Sequence, residues 1–291
     1  MKVWLNGELV DREAAALSVW DHGTLYGDGV FEGIRSYGGT VFQFAAHLDR
    51  LFSSAERIRL QIPQSRQELQ DATYATMEAN GTADGYIRMV VTRGAGTLGL
   101  DPNKCPRPST FIIVGAVALY PEDLYERGMP VILAETVRTS PASLDPRVKS
   151  LNYLNNIRAK LECLDAGVSE AIMCNDRGEV AEATGDNVFV VRDGQLRTPP
   201  AEAGILLGIT RNVVLHLCHR LGLPAAEQAI RPEDLRAADE CFLTGTAAEV
   251  IAVTQVDGQT IGDGQVGPVT RKLLDAFRAF TQSDEELPYT P

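Results

Sequence analysis

Apolar and polar positions alternate at the start of the chain, where Val3, Leu5, Leu9 and Val10 flank the pair Asn6-Gly7. Period-two alternation around Asn-Gly predicts a β-hairpin. Val41-Phe42-Gln43-Phe44 reads as a short strand. Across 47–60 the apolar residues Leu48, Leu51, Ala55 and Ile58 recur at helical spacing, and Pro63 bounds the segment. A second helix is predicted over 67–80, closed by Gly81. Residues 86–92 and 111–119 are apolar enough to be buried strands.

Proline and glycine then punctuate the chain from Tyr120-Pro121 to Gly128-Met129-Pro130, as a connector requires. Beyond it a strand is expected at 131–137 and a helix at 152–165, with Leu154, Ile157, Leu161 and Leu164 on one face and Gly167 as its stop. Short strands follow at 171–173 and 187–191, then a helix at about 209–221. A strand at 241–243 precedes Thr244-Gly245-Thr246, and a last helix spans 269–280. Hairpin-like alternation outnumbers clean βαβ units, so the expected fold class is α+β, with mixed or antiparallel sheets and flanking helices. Two domains are expected: a smaller one over 1–120, a connector over 121–130, and a larger one over 131–291.

Composition narrows the class of protein. A chain of 291 residues with 44% hydrophobic and 23% charged residues is ordinary for a globular protein. The longest apolar run, 111–120, is about half the roughly 20 residues that a membrane helix needs. The first residues meet Glu8 and Asp11 early and lack the apolar core of a signal peptide, so a cytoplasmic enzyme is expected. Five irregularly spaced cysteines without a CxxC pair suggest buried free thiols rather than disulfides or a metal site. A net charge of −12 argues against nucleic acid and anionic membranes as partners. An anionic ligand therefore needs a local cationic seat.

Few residues stand out for their chemistry. Gly27-Asp28-Gly29 and Gly94-Ala95-Gly96 are glycine fragments that complete no nucleotide fingerprint, and they read as turns. His216 and His219 are a weak pair on the polar side of a helix. Lys149 precedes a predicted helix, whose first amides would lower an amine pKa as imine chemistry requires; a solvated surface lysine is the other reading. Gly208-Ile209-Thr210 opens a helix and Gly245-Thr246-Ala247-Ala248 leaves a strand. Both have the form of phosphate seats, and equally of a plain helix cap and a plain turn. Glu182 is either a loop carboxylate or the partner of a cation.

Taken in order, these pieces resemble the fold-type IV pyridoxal-phosphate enzymes, and among them the branched-chain amino acid aminotransferases. The likeness runs from about Trp4 to Phe280. It is carried by Tyr26-Gly27-Asp28-Gly29-Val30-Phe31-Glu32-Gly33-Ile34-Arg35, Tyr86-Ile87-Arg88 and Lys149-Ser150-Leu151-Asn152-Tyr153-Leu154-Asn155-Asn156. Ala181-Glu182-Ala183-Thr184-Gly185-Asp186-Asn187, Gly208-Ile209-Thr210-Arg211 and Gly245-Thr246-Ala247-Ala248-Glu249 complete the set.

The resemblance implies a two-domain fold like that of D-amino acid aminotransferase and pyridoxal 5′-phosphate held as a Schiff base on Lys149, which also shuttles the substrate proton. It implies that Glu182 pairs with the ring nitrogen, Tyr153 with the ring hydroxyl, and Leu206 with the ring face. Arg50, Ile209, Thr210 and Thr246 would hold the phosphate. Tyr26, Phe31 and Tyr86 would form an apolar substrate pocket, Arg88 would take the distal carboxylate of glutamate with Arg35 as helper, and amides at Thr246 and Ala247 the substrate's own carboxylate. The implied reaction moves an amino group between leucine, isoleucine or valine and 2-oxoglutarate, in a homodimer or higher oligomer. D-amino acid and (R)-amine aminotransferases and aminodeoxychorismate lyase share the scaffold and are the alternatives; a scaffold protein without catalysis would need none of these residues. Ala183 stands where many relatives have glycine and Ala252 where many have proline, departures that bear on substrate preference.

Overall fold

The structure, a computed structural model, describes residues 1–116 and 120–290. Its contacts divide the chain into two compact units: Met1–Val117 with Val148–Asn152 and Glu286–Pro291, and Ala118–Arg147 with Tyr153–Glu285.

The first unit is a six-stranded antiparallel sheet formed by β1 (Lys2–Leu5), β2 (Glu8–Asp11), β3 (Gly29–Tyr37), β4 (Thr40–Val41), β5 (Gly85–Thr92) and β6 (Ser109–Gly115). Its spatial order is β2-β1-β6-β5-β3-β4. A short helix α1 (His22–Tyr26) precedes β3, and α2 (Phe44–Arg57) and α3 (Arg66–Asn80) follow β4. β1 and β2 are the hairpin that the alternation predicted, paired from Lys2↔Asp11 to Leu5↔Glu8. α3 starts on a Ser65–Glu68 capping box and stops at Gly81 in the left-handed region (φ 61°). Phe44, Leu48 and Leu51 of α2 and Leu69 of α3 share a core with Val30, Ile34, Ile87, Met89 and Ile112 of the sheet. Each such fully buried side chain contributes about 1.5–3 kcal/mol. This core fixes α2 against β3, the placement on which the site depends.

The second unit contains α4 (Glu122–Arg127), β7 (Met129–Leu133), α5 (Leu154–Asp165), β8 (Glu170–Cys174), β9 (Val180–Ala183), β10 (Asn187–Arg192) and β11 (Gln195–Thr198). It continues through α6 (Ile209–Arg220), β12 (Ala225–Glu227), α7 (Pro232–Arg236), β13 (Glu240–Gly245), β14 (Glu249–Val256), β15 (Gln259–Thr260) and α8 (Pro268–Phe280). The nine strands form a mixed sheet in the order β12-β11-β10-β13-β14-β7-β8-β9, with β15 on β14. β7 lies parallel to both neighbours, whereas β10, β13 and β14 pair antiparallel. Phe189 and Phe242 stack 4.9 Å apart in its core, and Leu273, Leu274, Phe277 and Phe280 are the buried face of α8.

The α+β class and mixed sheets are as the pattern indicated, and several element bounds are not. Residues 42–44 are not strand: Gln43 is left-handed (φ 50°) and α2 already begins at Phe44. The strand expected over 131–137 starts at Met129 and ends at Leu133. The segment 121–130 contains α4 and the start of β7 rather than an open connector. The end of the strand expected over 111–119 lies outside the described residues. The four apolar residues expected on one face of α5 are all exposed, and Asn156, Ala159 and Cys163 are its buried residues. The cysteines are free, with Cys163, Cys218 and Cys241 buried and Cys105 and Cys174 half-buried.

Candidate active site

Lys149 belongs to the first unit, and its backbone explains why. Phe31 N–H donates to the Lys149 carbonyl at 3.0 Å, and Leu151 N–H donates to the Gly29 carbonyl at 2.9 Å. Lys149 N–H donates to Ser54 Oγ of α2 at 3.1 Å. The lysine is thus an extra rung on β3, and not a residue placed by the first turn of α5, which begins at Leu154. Its Nζ stands 4.8 Å from the centre of the Phe31 ring.

Alternation along β3 sorts the neighbouring residues. On one side, the guanidinium of Arg88 lies 4.4 Å over the Phe31 ring and donates from Nη2 to Tyr86 Oη at 3.0 Å. Gly33, opposite Arg88 in the ladder, leaves the room: a Cβ there would stand 1.9 Å from Tyr86 Oη. Arg35 pairs in register with Tyr86 and rests 4.6 Å over the Tyr37 ring. Phe31, Arg88 and Tyr86 are therefore brought together, with Lys149 and Arg35 beside them. Tyr26 stands at the end of α1, exposed at 37%, with its ring edge-on to His22 and its hydroxyl accepting from Gly99 N–H at 3.0 Å.

On the other side, Glu32 meets α2. Arg50 donates from Nε and Nη2 to the two Glu32 oxygens, each at 2.8 Å, and His47 Nδ1 lies 2.8 Å from Oε2. Burial alone would raise the Glu32 carboxyl, but the charge and hydrogen bonds of Arg50, with His47 adding to them, outweigh it and hold the group well below the usual carboxylate range. Burial pushes His47 down; Glu32 opposes this, while Arg50 and Lys149 reinforce it. His47 Nε2 is buried with no partner.

In the second unit Glu182 of β9 is buried. Arg138 donates to its Oε1 from Nε at 2.9 Å and lies 2.7 Å away at Nη2, and Leu206 N–H donates to its Oε2 at 2.9 Å. Asn187 Nδ2 donates to the Leu206 carbonyl at 2.9 Å. The same asparagine, opposite Thr244 across the β10–β13 ladder, explains Gly208, where a Cβ would sit 2.0 Å from Asn187 Oδ1. Gly245 is likewise required, since its Cβ would fall 1.7 Å from Asp186 Oδ1. Ile209 and Thr210 are the buried first residues of α6, and no side chain caps that turn. Tyr153 is the N-cap residue of α5. Glu182, Leu206, Gly208, Thr210 and the Gly245-Thr246-Ala247 turn are thus gathered around Asp186 and Asn187. Ala183 ends β9 opposite Ile172, and Ala252 sits mid-strand opposite Phe242, where proline would forfeit a ladder donor.

The sequence reading passed over Arg138, Glu32 and His47. A signal existed for Glu32, a lone acid in the apolar run Val30-Phe31-Glu32-Gly33-Ile34, since a buried carboxylate demands a cation. Arg138 lies in an irregular stretch with no pattern to mark it.

Residues 29–256 match the family Amino-transferase class IV. The chain belongs to that family. Class IV aminotransferases use pyridoxal phosphate. A protein of Methanocaldococcus jannaschii, provisionally named a branched-chain-amino-acid aminotransferase, is 48% identical over 278 residues, covering 96% of each chain. The solved branched-chain amino acid aminotransferase of Escherichia coli superposes with a TM-score of 0.93 at 34% identity, over 96% of this chain and 94% of that one. The branched-chain aminotransferase of the thermophilic archaeon Thermoproteus uzoniensis, solved with norvaline, gives 0.91 at 39% identity, over 98% and 96%. This class IV chain therefore has the fold-type IV architecture along nearly its whole length. Among the described residues no helix is long and apolar enough to cross a membrane.

Proposed function

We propose that the chain is a branched-chain amino acid aminotransferase, exchanging an amino group between leucine, isoleucine or valine and 2-oxoglutarate. The observation that carries this reading is the joint occurrence of Lys149 on β3 and a buried, cation-held Glu182, in a family whose similar solved members bear that name. When bound, pyridoxal phosphate supplies an electron sink for breaking the carbon–hydrogen bond at the amino acid's α-carbon. The residues fit it. Glu182 is an anion already aligned by three N–H donors, suited to a protonated ring nitrogen. The uncapped first turn of α6 offers Ile209 and Thr210 amides to a phosphate, with Thr246 and the guanidinium of Arg50 as further donors.

In this reading Lys149 Nζ would hold the cofactor and would take up the proton from the substrate's α-carbon. Tyr153 would meet the ring hydroxyl, and Leu206 would lie against the ring face. Phe31 and Tyr86 line an apolar site for branched side chains, while Arg88 between them meets the distal carboxylate of glutamate. Arg35 assists there, and amides of Thr246 and Ala247 take the α-carboxylate. The chain works as a homodimer or higher oligomer in the cytoplasm; Tyr26, exposed at the end of α1, then serves the site of a neighbouring copy.

Half-reactions followed through the cofactor spectrum test the reading. L-Leucine and L-glutamate convert the bound cofactor, D-alanine and (R)-1-phenylethylamine do so at least about tenfold more slowly, and Lys149→Ala abolishes conversion by any donor. Arg88→Ala weakens glutamate far more than leucine, since only glutamate has a second carboxylate to lose. Faster conversion by D-alanine or the amine would move the assignment to another enzyme on the same scaffold.

A further inference from the structure

Arg138 enters the reading above only as the cation beside Glu182, yet its side chain reaches further than that carboxylate. Two of its nitrogens meet Glu182 Oε1, at 2.9 and 2.7 Å. The third, Nη1, donates to Asn155 Oδ1 at 3.2 Å and to Asn156 Oδ1 at 3.3 Å. Those two asparagines follow Leu154 in the first turn of α5, whose N-cap is Tyr153, and they are pinned in turn. Asn155 Nδ2 donates to the Val137 carbonyl at 2.8 Å, and its Oδ1 accepts from Thr139 N–H at 3.0 Å. Asn156 Nδ2 donates to the Thr184 carbonyl at 2.9 Å, two residues past Glu182. A planar guanidinium with five donors is suited to joining a carboxylate and two amides at once.

The ion pair is nearly dry, with side-chain exposures of 10% for Arg138 and 7% for Glu182. Interactions in such surroundings are strong, and a neutral substitute for the arginine would leave a buried carboxylate short of its cation. We propose that Arg138 is a positioning residue for the amino-transfer reaction: it fixes the charge and direction of Glu182 and holds that carboxylate at a set distance from Tyr153. The inference rests on the assignment of Glu182 to the ring nitrogen and Tyr153 to the ring hydroxyl. Its physical content is where one proton resides. With Arg138 beside it, the Glu182 carboxylate would present its charge to the ring nitrogen in a fixed direction, and a proton would be held on that nitrogen. Without Arg138 the carboxylate would lose its cation and its direction, and the ring nitrogen would lose the partner that keeps it protonated.

The test uses holoprotein reconstituted with pyridoxal phosphate carrying 15N in the ring, and reads the nitrogen chemical shift near neutral pH. Wild type is expected to show a protonated nitrogen, and R138M a shift toward the unprotonated value with cofactor still bound. A merely structural arginine would leave that shift where it is, so a wild-type shift in R138M overturns the proposal. E182Q separates the two levels of argument: an unchanged shift in E182Q removes the ring-nitrogen role from Glu182 itself, whatever R138M does. Should R138M not fold, R138K decides. A compact ammonium keeps the charge but cannot span three acceptors, so R138K keeps the protonated shift while binding the cofactor about tenfold more weakly. Wild-type affinity in R138K overturns the positioning role.

Discussion

Glu32 and His47 illustrate how single residues behind a site set its response to pH. His47 sits below its ordinary 6.5 because burial disfavours the imidazolium more than Glu32 favours it. The unfolded chain therefore takes up a proton as pH falls through 6.5 while the folded chain does not, and stability present above that pH is lost below it. Glu32, depressed by Arg50 and His47 against the effect of burial, adds a second loss as pH falls below its ordinary 4.5. His47→Gln is expected to flatten the decline in Tm between about pH 6.5 and 5 while leaving the loss below 4.5 in place. Melting curves at a series of pH values check this; identical slopes in both proteins would free His47 of the role. The family resemblance implies a role for Arg50 and says nothing of the residues it meets. The period-two pattern tells which side of β3 Glu32 occupies, whereas only the packing of α2 shows that His47 and Arg50 meet it there.

Elements were legible where their signals are local. The Asn6-Gly7 hairpin and α3 with its Ser65–Glu68 box carry start and stop signals within a few residues of themselves. α2 does not, and its start was misplaced for that reason. Its start is held from the far end of the chain: Phe44 N–H donates to Glu286 Oε1 at 3.0 Å, and the Gln43 side chain accepts from Leu287 N–H at 2.8 Å. Gln43 itself offers no side-chain cap. Burial raises the Glu286 carboxyl more than its bonds to the Phe44 and Ala45 amides lower it. Because α2 carries both His47 and Arg50, loss of this cap loosens the helix that bears a proposed phosphate ligand. Glu286→Ala is expected to cost about 1 kcal/mol and to lower Tm by roughly 2 °C, with Glu286→Gln milder because an acceptor oxygen remains. Calorimetry on the two variants measures this, and a Glu286→Ala protein that melts like wild type would show the cap to be idle.

At the scale of the whole molecule, composition and motif order gave the class, but the division of the chain into units was beyond them. Val148–Asn152 and Glu286–Pro291 return to the first unit through contacts with residues remote in sequence, which no local pattern announces. The apolar face of α5 shows the same limit from the other direction. Helical spacing correctly places Leu154, Ile157, Leu161 and Leu164 in one stripe, yet they are exposed at 74, 50, 54 and 64%. A period identifies a stripe and does not say what covers it. A contiguous apolar stripe of this kind is suited to a protein partner, and the proposed homo-oligomer supplies one in a second copy. Each copy has a net charge of −12, so association works against mutual repulsion and should tighten as salt shortens the Debye length from about 10 Å at 0.1 M. Ile157→Asp and Leu161→Asp would each bring an unpaired carboxylate into such a contact, at a cost of several kcal/mol. Both variants are therefore expected to keep their fold while their dissociation constants rise by about a hundredfold or more, as light scattering across a dilution series would measure. If both stay assembled at wild-type concentrations, the contact between copies lies elsewhere on the surface.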